Sequence, residues 1–259
     1  MTDLANSRVI VTGGSAGLGL AMVRALAERG ADVTAIARDP TKLGAARDAG
    51  ARTIVGDATD ATLINSTVAE IDPDVLILNA GARLPLVTID QEGWDSFSSH
   101  WNTDVKATFV GIQAALNTPM RSGARVLIMS SGAAMVMSHP AIEPRSLRLS
   151  GGYIGAKRMI WFMAHQAEAV SHDRKLGISF QVLVPTQAMA GTELGHAVAA
   201  VGAQAEGLTI DEYMHKRYGP TLHPSQIGRQ VAELLVEPRY ETGTAYGFRA
   251  GSDIMPLDQ

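Results

Sequence analysis

Short apolar runs alternate along this chain with longer stretches whose apolar residues recur at helical spacing. Arg8-Val9-Ile10-Val11-Thr12 is β-branched and apolar, which predicts a buried strand. It runs into the turn Gly13-Gly14-Ser15-Ala16-Gly17-Leu18-Gly19. Leu20, Val23 and Leu26-Ala27 then mark one side of a helix from Leu20 to Arg29, with Gly30 as its stop. Further strands are expected at Ala31–Ala37, Thr53–Val55, Val75–Leu78, Val126–Met129 and Phe180–Val184. Helical patterns cover Leu63–Ile71, Trp94–Asn117, Tyr153–Ser171 and Pro224–Val236, and Asp39-Pro40-Thr41 reads as a helix start. Strands that are apolar throughout and alternate with helices imply an α/β fold, a doubly wound parallel sheet covered on both faces. Such sheets bind ligands beyond the carboxyl ends of their strands.

At 259 residues the chain suits one α/β domain, and no repeat or linker divides it. The net charge of −4 and the lack of any Lys/Arg run argue against nucleic acid as a partner. There is no cysteine, which excludes disulfides, thiolate nucleophiles and Cys-ligated zinc. The seven histidines show no metal-ligand spacing, so no metal is expected. No apolar run is long enough to cross a bilayer and no signal peptide is seen, so no membrane partner is expected and the expected compartment is the cytoplasm.

Two patterns carry chemistry. Tyr153 and Lys157 are one helical turn apart and share a face. A free phenol has a pKa of about 10, and a neighbouring ammonium favours its ionised form. Such a tyrosine can give a proton to a carbonyl or take one from an alcohol. A solvated surface pair has the same spacing. The turn Thr12-Gly13-x-x-x-Gly17-x-Gly19 joins the first strand to the first helix, where glycines admit a pyrophosphate to the helix N-terminus.

With Asn79-Ala80-Gly81 after the fourth strand and Ser130-Ser131 after the fifth, these motifs follow one another in the order of the short-chain dehydrogenase/reductase superfamily. From about residue 8 to about residue 190 the chain resembles that family's compact, single-domain branch, with its Rossmann-type fold. The resemblance implies an NAD(P)-dependent oxidoreductase that moves a hydride between the cofactor and a ketone or secondary alcohol. Tyr153 would be the acid–base, Ser131 would hold the substrate oxygen, with Ser130 as the adjacent alternative, and Lys157 would hold the nicotinamide ribose. Thr12, Gly13, Ser15, Gly17, Leu18 and Gly19 would form the phosphate turn. Asp57 and Ala58 would meet the adenine, and Asn79, Ala80 and Gly81 would line the adenosine side. Pro185, Ala188 and Thr192 would contact the nicotinamide end. Arg38 follows the second strand, where Ala37 takes the place of an acidic residue, so the preferred cofactor is NADP, with NAD as the alternative. Arg38 could instead pair with Asp39. The family also implies a homodimer or homotetramer through the helices at Trp94–Asn117 and Tyr153–Ser171.

Three departures stand out. Counting back from Phe109 puts Asp104 where the family has a catalytic asparagine, with Asn102 as the alternative. Ser131 and Tyr153 are 22 positions apart, more than the family usually has, and the excess carries His139, Pro140, Pro144, Arg145 and Arg148. This loop is expected over the substrate, with Arg145 and Arg148 facing an acidic group or solvent. Thr186 follows Pro185 where glycine is usual. A substrate lid is expected at about 186–224, with Met189 and Met214 as adaptable apolar surface. The rival reading is a non-catalytic dinucleotide-binding redox sensor. A lyase or dehalogenase on the same fold is disfavoured because the glycine turn and the lysine are both kept.

Overall fold

The computed structural model describes residues 4–138 and 151–258. The loop residues His139, Pro140, Pro144, Arg145 and Arg148 lie outside the described residues. The strands are β1 Arg8–Thr12, β2 Asp32–Ala37, β3 Arg52–Val55, β4 Val75–Leu78, β5 Arg125–Met129, β6 Ser179–Pro185, β7 Ala245–Phe248 and β8 Met255–Pro256. They form one sheet in the order β3-β2-β1-β4-β5-β6-β7-β8, parallel except for β8. The order reverses between β1 and β4, and such a switch point opens a crevice at the carboxyl ends.

Strand side chains point alternately to the two faces of a sheet. Val9 and Val11 therefore join one core cluster while Ile10 joins the other. Val75 and Ile77 separate from Leu76 and Leu78 in the same way. Helix α1 (Gly17–Ala27) and a late helix, Pro224–Val236, cover the first face. Helices α3 (Ala61–Ile71), α5 (Lys106–Asn117) and α6 (Tyr153–Asp173) cover the second. The short α2 (Gly44–Asp48) follows the Asp39 turn, in which the Asp39 carboxylate accepts from the Thr41 and Lys42 amides.

Several boundaries differ from the sequence expectation. Helix α1 begins at Gly17, because the glycine turn itself starts the helix, and ends at Ala27. The long helix expected at Trp94–Asn117 is α4 (Trp94–His100), a π-helical turn at Trp101–Val105, and α5. The wider turn is invisible in apolar spacing, yet it changes which residues face inward. The stretch after β6 contains α7 (Glu193–Glu206) and α8 (Ile210–Tyr218), which share a small core of Ala199, Ala203, Tyr213 and Met214. Met214 is thus part of this small core, while Met189 packs against the main core and lines a cavity. The last helix, α9, is Pro224–Val236 as its pattern indicates.

Candidate active site

A cavity of about 680 Å³ opens where β1, β4, β5 and β6 end. Gly13, Ser15, Gly17 and Leu18 line one end of it, with Arg38, Asp57 and Ala58 from the β2 and β3 ends. Asn79, Ala80 and Gly81 follow, and then Asp104, Ser131, Tyr153, Lys157, Pro185, Ala188 and Thr192. Thr12 and Gly19 are the exceptions, since neither lines the cavity. The Thr12 hydroxyl donates to Ile77 O (3.3 Å) and accepts from the Asn79 and Ala80 amides (3.0 and 3.3 Å). The Asn79 side chain donates to Thr12 O at 3.2 Å, so this asparagine braces the turn. A Cβ at Gly19 would come within 2.1 Å of Gly13 O, so glycine there lets helix and turn touch. Both residues shape the turn through these contacts.

The turn is suited to an anion. Gly13 and Gly17 have positive φ (+69° and +53°), which a glycine adopts without steric penalty. The N-cap residue of α1, Ala16, offers no side-chain cap and the first turn has no acidic residue, while α3 is capped by Asp60 and α7 by Thr192. The first N–H groups of α1 thus face the cavity with a partial positive charge. Arg38 is exposed, and among the described residues no ion pair joins it to Asp39, whose carboxylate is engaged by the Thr41 and Lys42 amides. Lys42 also lines this end, a second cation that the sequence reading did not single out. Asp57 is held below its usual carboxyl range, first by the Thr59 amide (2.9 Å).

At the other end a buried row of groups meets. Lys157 Nζ lies 3.1 Å from Asp104 Oδ2 and donates to Met129 O at 3.4 Å. Asp104 Oδ1 accepts from the Ala82 amide (2.7 Å) and lies 3.4 Å from His100 Nδ1. The π turn presents Asp104 inward, while Asn102 is exposed and reaches Ser98. Gly81 makes room for this carboxylate, since a Cβ there would meet Asp104 Oδ2 at 3.0 Å. Burial alone would raise the Asp104 carboxyl, but the Lys157 ammonium, His100 and the Ala82 amide together hold it below its usual range. Burial alone would lower the Lys157 ammonium, yet Asp104 and Tyr153 reverse the sign and hold it above its usual value.

Tyr153 is almost fully buried, with Lys157 Nζ 5.7 Å from its ring centroid. His100, wholly buried, packs edge-on against the same ring at 5.1 Å. It was not singled out from sequence, although its helical spacing to Asp104 was visible. The two serines separate in use. Ser130 donates to Lys157 O at 3.0 Å, while the Ser131 hydroxyl accepts from the Ala133 amide (3.2 Å) and donates to no acceptor among the described residues. Thr192 caps α7 by accepting from Gly195 N (2.9 Å), and Thr186 donates to Phe248 O.

A tyrosine, a lysine and a serine thus share one cavity with the glycine turn, at the carboxyl ends of a doubly wound sheet. The family model described as short chain dehydrogenase matches residues 7–142, and the chain belongs to that family. A probable oxidoreductase of Streptomyces lividans is 35% identical over 150 residues, covering 51% of this chain and 47% of that protein. The gluconate 5-dehydrogenase of Gluconobacter oxydans (strain 621H) is 31% identical over 155 residues, covering 55% and 59%. The chain thus spans about half the length of the first relative and under two thirds of the second. In fold it is similar to an actinorhodin polyketide ketoreductase solved with NADPH (TM-score 0.76, 19% identity, 97% of this chain and 98% of that one). Among the described residues no helix is long and apolar enough to cross a membrane, and no cluster could hold a metal ion.

Proposed function

We propose that this protein is an NADP(H)-dependent oxidoreductase that interconverts a ketone and a secondary alcohol, with Tyr153 as the acid–base. The observation that carries the reading is that Tyr153, Lys157 and Ser131 line the same cavity as the uncapped N-terminus of α1. Both relatives' names and the NADPH of the structural neighbour support it. The bound nicotinamide supplies or accepts the hydride. Tyr153 then gives its proton to the carbonyl oxygen, and Ser131 donates a hydrogen bond to that oxygen as charge develops. The Lys157 ammonium stabilises negative charge left on the tyrosine and holds the ribose. Asp104 keeps that ammonium charged. Arg38, with Lys42 beside it, would hold a 2′-phosphate. Residues at about 186–224, including α7 and α8, would act as a lid. The half-exposed Phe109 and Phe162 on α5 and α6 suit contact with a second copy of the chain.

The test follows NADPH oxidation across a panel of ketones. Wild-type protein should consume NADPH, and Tyr153→Phe should lower turnover by about a thousandfold or more while NADPH still binds. A wild-type protein that binds NADPH and reduces nothing would support the redox-sensor reading instead. Arg38→Asp should raise KM for NADPH about tenfold more than KM for NADH. Equal changes for the two cofactors would remove the NADP assignment.

A further inference from the structure

We infer that the substrate is a bulky, apolar ketone or the matching secondary alcohol, and not a polyhydroxylated one; this rests on the oxidoreductase reading above. The cavity that Tyr153 lines is bounded also by the segment after β4 and by the helices after β6. Leu84 and Leu86 line it from the first, and Leu194, Val198 and Val201 from α7. The three α7 residues recur at i, i+4 and i+7, so they form one stripe on the helix. All five are only half-buried, and none belongs to the three clusters that make up the apolar core. Apolar side chains that the fold leaves facing a cavity are best covered by apolar ligand surface.

Besides Ser131 and Tyr153, which the reaction uses, several polar side chains at this end are already engaged within the protein. Thr186 donates to Phe248 O, and Gln187 donates to Pro220 O and accepts from the Ala250 amide. Thr192 caps α7. A site that recognises several substrate hydroxyls must set a partner against each one, and a hydroxyl buried without a partner weakens binding. Of the charged side chains lining the cavity among the described residues, Asp104 and Lys157 neutralise each other, and Arg38, Asp39, Lys42 and Asp57 stand at the dinucleotide end. Arg217 is exposed, with its guanidinium 5.9 Å from the Tyr218 ring.

Binding separates the substrate class from the reaction. Tyr153→Phe protein saturated with NADPH is titrated calorimetrically with 2-tetralone, cyclohexanone and fructose. The expected order is 2-tetralone at least about tenfold tighter than cyclohexanone and about a hundredfold tighter than fructose. Val198→Asp, added to this variant, should weaken 2-tetralone by about tenfold or more and leave NADPH affinity unchanged. Leu86→Asn tests the opposite wall with the same expected direction if Val198→Asp fails to fold. Fructose binding as tightly as 2-tetralone, or 2-tetralone affinity untouched by a folded wall variant, overturns the substrate class, while NADPH oxidation by the wild type with any ketone leaves the parent reading standing. No oxidation with any ketone defeats the parent reading and this inference together.

Discussion

Arg125 opens β5 and Met129 closes it, and a buried cation stands at each end of that strand. At the amino end the Arg125 guanidinium donates to Gln181 Oε1 and to the carbonyls of Leu234, Leu235 and Tyr240. These neutral dipoles tie the C-terminus of α9 to the sheet. Neither they nor the opposing charges of Tyr246 and Glu241 offset the burial, which lowers the guanidinium to about 10. At the carboxyl end Lys157 is buried just as deeply, but a carboxylate faces it and its ammonium is held above the usual value. Burial is common to both ends, and the sign follows from the partner. One cation fastens a helix to the sheet. The other is kept charged beside a tyrosine and an open cavity.

The sharpest way to break this contrast is Asp104→Asn. Removing one member of a buried ion pair leaves the other unpaired, and the protein should lose about 3 kcal/mol in urea unfolding at neutral pH. The loss depends on pH. Asp104 has a lowered folded pKa, so its contribution is present above the unfolded value of 3.8 and fades as pH falls through the folded one. Lys157 has a raised folded pKa, so its contribution is present below 10.5 and fades as pH rises through the folded one. The difference between wild type and variant should therefore be widest between these limits. Without its carboxylate the buried ammonium also deprotonates more readily, so the alkaline limit of NADPH-dependent reduction should move to lower pH. An unchanged stability curve would mean that the pair is not formed.

A smaller effect is expected at the other end. Arg125→Met leaves several acceptors without a donor but also relieves a buried charge. The net loss should be about 1 kcal/mol by urea unfolding, with kcat/KM unchanged. A change in kcat/KM beyond about threefold would mean that the strand couples its two ends, since an independent site adds without interaction.

This comparison also bears on what could be read in the sequence. β1, β4 and β6 were legible because a parallel sheet covered on both faces demands unbroken apolar runs, and both faces are covered here. Arg125 was not: β5 was expected to begin only at Val126, and nothing in the local pattern marks this arginine as buried. Its burial depends on α9, a hundred residues away in the chain. Counting back from Phe109 pointed to Asp104, but that it and not Asn102 is buried beside Lys157 follows from the π turn, which no spacing rule reveals. His100 and Lys42 were missed because a lone histidine or lysine carries no motif. The helices α7 and α8 were not singled out, although the Thr209 and Glu212 capping box that opens α8 was visible in the sequence.

The account depends on a phenol that meets the reacting carbonyl over a nicotinamide. A crystal structure of the protein with NADP and an unreactive ketone analogue tests this most directly. The account predicts the Tyr153 hydroxyl about 2.6–3.2 Å from the ketone oxygen, with Ser131 on the same oxygen and Lys157 still paired with Asp104. A ketone bound away from Tyr153, or a Tyr153 hydroxyl directed out of the cavity with the dinucleotide in place, would contradict it.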